Sequence, residues 1–176
     1  INSQGNGIQT QGDIAVDTVR LEIMYGAQGT SGSGLFSQGG DVVVKDCDYV
    51  KVKNNPGIGN SNGAVRSSQA GNGTIRIENS HAIIINDSGE ALSAIVGKIE
   101  LISSDVRAIG KTSDASGVLA FNQCTVDGGT LFAQNTGEGG LEIPSVWSRP
   151  LVGSNSAVIY GAQDRSRLPL EGDIVW

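Results

Sequence analysis

The chain has 176 residues, which is enough for one domain with a sizeable core. Its 26 glycines and its low aromatic content of 5% exclude a long-helix protein, and an apolar content of 38% argues against wholesale disorder. The net charge is −6 without a basic cluster, and no apolar stretch is long enough to cross a bilayer, so neither nucleic-acid binding nor membrane insertion is expected.

A short apolar pattern recurs at intervals of roughly 24 to 33 residues, the length of one solenoid coil. The predicted first strands are Ile14–Asp17, Val42–Lys45, Ile75–Glu78, Ile99–Ile102 and Cys124–Asp127. An apolar pair follows each of them, at Leu21/Ile23, Val50/Val52, Ile83/Ile85, Val106/Ala108 and Leu131/Ala133. A third apolar stretch follows a Gly/Asn/Ser-rich loop, at Leu35-Phe36, Ala64-Val65, Leu92–Ala94, Val118–Ala120 and Leu141–Ile143.

Three strands per coil predict an all-β fold, a right-handed parallel β-helix (solenoid) of about five coils. The pattern fades after residue 143. We therefore predict a parallel β-helix over 1–143 and a C-terminal cap, or the start of a following module, over 144–176.

Alternation within the strands predicts which side chains face outward. Asp17, Lys45 and Glu78 follow one another on one outer face with alternating charge, which neighbouring strands favour. Apolar side chains are also predicted to face outward, at Val43, Ile84, Ile102 and Phe132. Exposed apolar clusters mark interfaces, so we expect a homo-oligomer, most simply a homotrimer of parallel rods.

With this coil pattern, the closing residues Gly172-Asp173-Ile174-Val175-Trp176 resemble the end of the helical part in bacteriophage tailspikes and tail-fibre adhesins. The resemblance implies a trimeric protein of the virion tail that recognises, and in many members cleaves, bacterial surface polysaccharide. The coil architecture is shared with secreted carbohydrate-active β-helices. The chain lacks the Asn-Thr-Asp and Gly-His-Gly pair of polygalacturonases and the Arg-x-Pro-x-x-Arg motif of pectate lyases.

One column of residues suits glycoside hydrolysis, which needs two carboxylates about 5 to 9.5 Å apart. Counting from the start of each first strand places Asp48, His81 and Asp105 in one column. Asp48 and Asp105 would then lie two coils apart, about 9.6 Å, with the histidine between them. The alternative is that these residue types favour a tight turn for backbone reasons.

Two loops are candidate glycan-binding surfaces because they lie on adjacent coils, at Tyr25–Gly34 and Asn54–Gly63. Their ring and amides are expected to contact sugar, through Tyr25, Asn54, Asn55, Asn60 and Asn62. The alternative is a Gly/Ser/Asn linker without a ligand. Cys47 and Cys124 are too far apart for a disulfide, so two free thiols are predicted. No metal spacing occurs, and no cofactor is expected.

Three functions stay open. The leading hypothesis is a phage tail β-helix that binds, and in an enzymatic variant depolymerises, a bacterial surface glycan at the virion tail. The first alternative is a secreted monomeric polysaccharide lyase or glycoside hydrolase, and the second is a structural β-helical spacer. A solution mass of three chains would favour the phage tail protein over the secreted enzyme, because the enzyme is expected to be a monomer of 18.1 kDa.

Overall fold

A computed structural model describes residues 1–29, 31–55, 63–67, 72–110, 117–135, 146–147 and 150–160, and the backbone of 173–175. These residues form the following strands in chain order: β1 (Ile8–Thr10), β2 (Ile14–Asp17), β3 (Arg20–Tyr25), β4 (Leu35–Ser37), β5 (Val42–Lys45), β6 (Tyr49–Asn54), β7 (Val65–Ser67), β8 (Ile75–Glu78), β9 (His81–Asn86), β10 (Leu92–Ala94), β11 (Lys98–Gly110), β12 (Val118–Ala120), β13 (Gln123–Asn135), β14 (Leu151–Val152), β15 (Ser156–Tyr160) and β16 (Asp173–Val175). None of the described segments is a helix of the length and apolarity that a membrane crossing requires.

The strands stack in parallel as a β-solenoid of about five turns, which confirms the predicted all-β fold. Each coil contributes a first strand (β2, β5, β8 and the start of β11 and β13), a second strand (β3, β6, β9 and the end of β11 and β13) and a third strand. The third strands form a sheet of their own in the order β1, β4, β7, β10, β12. We call the outer surfaces of these three strand stacks the first, second and third faces.

The register of the first strands agrees with the prediction. Asp17 pairs with Lys45, Lys45 with Glu78, and Glu78 with Ile102. The inward side chains of these strands, Val42, Ile75 and Ile99, are fully buried and stack as a ladder. Alternation of apolar and polar residues fixed the inward side correctly in β8 and at the start of β11 and β13. In β2 and β5, whose first three residues are all apolar, the position in the coil repeat fixed it.

In β9 the predicted register was wrong by one residue. Ile84 is 1% exposed and faces the core, whereas Ile83 and Ile85 face outward. The segment Ala82-Ile83-Ile84-Ile85 is apolar throughout, so its own pattern does not distinguish the two sides. Pairing decides the register, because Val52 of β6 aligns with Ile84 and Val106 of β11 aligns with Ala82. The prediction that Ile84 belongs to an exposed interface patch is corrected accordingly.

The corner between first and second strands repeats from coil to coil with a left-handed backbone. Its residues have φ between 46° and 76°: Thr18, Asp46, Asn79, Ser103, Gly128 and Asn155. Asn, Asp and Gly tolerate this conformation better than other residues. Just beyond this corner, serine hydroxyls accept hydrogen bonds from backbone N–H groups of the neighbouring coil. The N–H of Cys47 donates to Ser80 Oγ, and the N–H of Ser80 donates to Ser104 Oγ.

Strand stacking extends beyond residue 143. Strand β14 pairs with the start of β13, β15 pairs with its end, and β16 pairs with β15. Val146 forms a bridge to Val118, and Asn155 repeats the left-handed corner. The predicted third strand at Leu141–Ile143 lies outside the described residues, and the predicted division into 1–143 and 144–176 stays a prediction.

Candidate functional site

The second face carries aromatic, cationic, acidic and apolar side chains. Its outward side chains stand in rows across the coils, because residues of neighbouring parallel strands pair directly. One row contains Arg20, Tyr49, His81, Asp105 and Thr130, the next Glu22, Lys51, Ile83, Arg107 and Phe132, and the third Met24, Lys53, Ile85, Ile109 and Gln134.

A groove of about 410 Å³ lies on this face. Its walls come from the first two rows and from the strand backbone between them, and the lining residues are Tyr49, His81, Ala82, Ile83, Asp105, Val106, Arg107, Thr130 and Phe132. The groove therefore combines two aromatic rings and an isoleucine with one carboxylate, one guanidinium and one imidazole. This is the mixture that sugar recognition uses, since a ring packs on the apolar side of a sugar and polar groups bind its hydroxyls.

Two arginines on this face stack on aromatic rings of the neighbouring coil. The Arg107 guanidinium lies 5.1 Å from the centre of the Phe132 ring, and that of Arg20 lies 4.5 Å from the centre of the Tyr49 ring. Each pair consists of directly aligned residues, so the strand register creates both contacts. Cation–π contacts of this kind orient the guanidinium and the ring together.

An ion pair lies on the first two coils of the face. Lys51 Nζ is 2.7 Å from Glu22 Oε1, again between aligned residues. The hydrogen bond and charge of Lys51 lower the pKa of Glu22, and those of Glu22 raise the pKa of Lys51. Both side chains are at least partly exposed, and neither of them lines the groove.

The predicted catalytic residues surround a second cavity, of about 300 Å³, that adjoins the groove. Asp48, His81 and Asp105 line it together with corner residues Cys47, Asn79, Ser80 and Ser103. His81 Nδ1 is 3.5 Å from Asp105 Oδ2, and both side chains are more than half exposed. His81 and Asp105 line both depressions, so the cavity and the groove lie side by side.

The alignment of Asp48 differs from the predicted column. Lys45 pairs with Glu78, but Val50 pairs with Ala82, so the corner of the second coil contains one additional residue. Tyr49, rather than Asp48, therefore occupies the row of His81 and Asp105. Asp48 lies at the corner beside this row and still faces the shared cavity. Its catalytic role, like that of Asp105, stays a prediction.

Two of the predicted glycan-binding residues lie in the core. Tyr25 and Asn54 are both fully buried, at the inward positions that end β3 and β6. The backbone N–H of Asp87 donates to Asn54 Oδ1, so this amide satisfies a turn of the next coil. The prediction that Tyr25 and Asn54 contact a glycan does not agree with these positions, because the second strands run two residues further than the apolar pairs suggested.

Of the three other predicted amides, one belongs to the residues that the structure describes. Asn55 Nδ2 donates to the carbonyl oxygen of Gly26 at 2.7 Å, which ties two coils together. Asn60 and Asn62 lie outside the described residues. Ser31, Gly32 and Ser33 of the first loop line a small cavity of about 140 Å³. The role of the two loops in glycan binding stays a prediction.

Both cysteines are free, as predicted, and both are buried. Desolvation raises the pKa of the Cys124 thiol to about 12. Cys47 Sγ donates to the carbonyl oxygen of Lys45 at 3.1 Å. Within the part of the chain that the structure describes, no three His, Cys, Asp or Glu side chains are grouped to hold a metal.

Sequence reasoning missed the groove residues Tyr49, Ile83, Arg107 and Thr130. Alternation along each second strand indicates that these side chains face outward. Their proximity to one another, however, depends on the register between coils. Three comparisons, with protein-family models, with curated proteins and with solved structures, found no match to this chain.

Proposed function

We propose that this chain is a glycan-binding β-helix, of the kind that phage tail proteins use to engage bacterial surface polysaccharide, and that the groove of the second face holds the glycan. One observation carries the proposal. The groove places the Tyr49 and Phe132 rings on either side of His81, Asp105 and Arg107, on a rigid stack of strands. A preformed surface of this kind binds an extended polymer without first having to become ordered.

The shape of the face supports a polymer rather than a small molecule. The rows of side chains run across the coils at the strand spacing of about 4.8 Å, so successive coils can contact successive sugar units. The groove and the adjoining cavity share His81 and Asp105, and the cavity lies at the corner of coils that the groove also crosses, so it widens the surface available to one chain of sugars.

Removing the rings tests the proposal. We expect the double variant Tyr49→Ala/Phe132→Ala to lose affinity for the cognate polysaccharide by about tenfold or more, because ring packing is lost at both sides of the groove. Binding is measured on an array of purified bacterial surface polysaccharides and then by titration of the retained glycan. Circular dichroism is expected to keep its β-sheet spectrum, since both rings are on the surface.

Phe36→Ala is the matched control. Phe36 also lies under an arginine, with Arg66 4.9 Å from its ring centre, but on the third face. The control should bind like the parent chain. Equal weakening in both variants, or an array with no retained glycan, would contradict the proposal and favour a structural spacer.

A second function, cleavage of the bound glycan, is favoured by one observation. Asp48 and Asp105 line the same cavity with His81 beside Asp105, so two carboxylates and an imidazole are available beside the groove. If this pair is catalytic, Asp105→Asn should abolish release of reducing ends while the variant still retains the glycan and keeps its melting temperature nearly unchanged. Asp127→Asn on the first face is the control. Full turnover of Asp105→Asn would assign the pair to binding alone.

The homotrimer and the virion tail belong to the same proposal and rest on the family resemblance. After the correction of Ile84, the outward apolar side chains on the second face are Met24, Ile83, Ile85, Ile109 and Phe132. Ile83 and Phe132 line the groove, so they are assigned to the glycan rather than to a subunit interface.

A further inference from the structure

The described cations of the first face lie close to carboxylates, whereas most of those on the second face do not. On the first face Lys45, Arg76 and Lys98 each lie within 4.0 Å of a carboxylate: Arg76 binds Glu78 at 2.9 Å and Lys98 binds Glu100 at 2.6 Å. On the second face Lys51 alone has such a partner among the described residues. Arg20, Lys53 and Arg107 have no carboxylate within this distance in the described part of the chain.

The charge of the second face is opposite to that of the whole chain. Its described second strands contribute four cations (Arg20, Lys51, Lys53 and Arg107) and two carboxylates (Glu22 and Asp105), while the chain carries 12 cations and 18 acids. Outside the cavity that Asp48 and Asp105 line, this local excess of positive charge makes the face attractive to anions despite the overall charge of −6.

Arg107 is the cation that lies inside the groove. It stacks on Phe132 and lines the same depression as Tyr49 and Thr130. An arginine that stacks on a ring keeps planar N–H donors for a two-pronged bond to a carboxylate or phosphate. A sugar packed against Phe132 would bring a substituent on its ring to this guanidinium.

We infer that the polysaccharide is acidic and that its anionic group binds Arg107, with Lys53 and Arg20 providing further positive charge along the face. This inference rests on the proposed glycan function and adds the chemical class of the ligand. Unspecific attraction between this chain and a polyanion is not expected, because both are negatively charged. Retention of an acidic glycan would therefore report on the local surface.

The experiment uses an array of neutral, uronate-containing and phosphate-containing bacterial polysaccharides. We expect the retained glycans to be acidic and Arg107→Gln to weaken their binding at least tenfold. Arg76→Gln on the first face is the matched control and should change affinity less than twofold. Reduction of uronate carboxyls to neutral sugars separates the two sources of charge: it should abolish binding of a uronate polymer and leave a phosphate polymer unaffected.

The outcomes separate this inference from the proposed function. Retention of neutral glycans that depend on Tyr49 and Phe132 but not on Arg107 would keep the proposed function and overturn the acidic ligand. Equal loss of binding in Arg107→Gln and Arg76→Gln would also overturn it, because the attraction would then not be local. A blank array would overturn both.

Discussion

We expect Ile84→Asp to prevent folding, or to lower the free energy of unfolding by about 4 kcal/mol or more. Ile84 is 1% exposed and stacks in the inward ladder between Val52 and Ala108. A carboxylate at this place would be buried among apolar side chains without a hydrogen-bond partner. A domain of this size has a stability of only about 5–15 kcal/mol, so the loss is a large part of the total.

Ile83→Asp is the matched control, one residue away on the same strand. Ile83 faces outward on the second face, so its carboxylate stays in water and we expect a change within about 1 kcal/mol. Chemical denaturation followed by circular dichroism measures both variants. The reverse order of stabilities would show that β9 has the opposite register.

Gly97→Ala is expected to destabilise the chain by about 3 kcal/mol. Gly97 lies where the third strand of one coil leads to the first strand of the next. A Cβ atom there would overlap the carbonyl oxygen of Gly73 in the coil below, and one at Gly73 would overlap the carbonyl oxygen of Gly40. Because these obstacles are backbone atoms, the coils would have to move apart, which lengthens the strand hydrogen bonds nearby.

Gly12→Ala is the control, because it shows whether replacing a glycine without close neighbours also destabilises the chain. Nothing lies within 4 Å of a Cβ atom at Gly12, so we expect a change close to zero. Thermal unfolding compares the two variants. A melting temperature of Gly97→Ala equal to that of Gly12→Ala would contradict the close stacking of Gly40, Gly73 and Gly97.

The architecture was predictable because the same short pattern recurs along the chain. Ile75, Ile99 and Cys124 alternate with polar or charged neighbours, so these first strands reveal their inward side locally. The corner was predictable for a similar reason, since Asp46, Asn79, Ser103 and Gly128 are residue types that suit a tight turn. These features depend on nearest neighbours along the chain.

The candidate site was only partly predictable. His81 and Asp105 were placed in one row by counting, and they do pair. Asp48 was placed in the same row, but an additional corner residue gives that position to Tyr49. Tyr25 and Asn54 were assigned to loops, although the second strands continue through them. The first error arose because the number of residues between two aligned strands changed, and the second arose because the second strands run two residues further than their apolar pairs suggested.

The sequence by itself determined the all-β solenoid, its coil repeat and the inward side of the first strands, because alternation and spacing are local properties of the chain. Tertiary structure alone decided that Ile84 is buried and that Tyr49, Arg107 and Phe132 line one groove. Tyr49, Arg107 and Phe132 come from three different coils, and their proximity depends on hydrogen bonds between coils that fix the register. A shift of one residue in any coil would exchange the inner and outer sides of that strand.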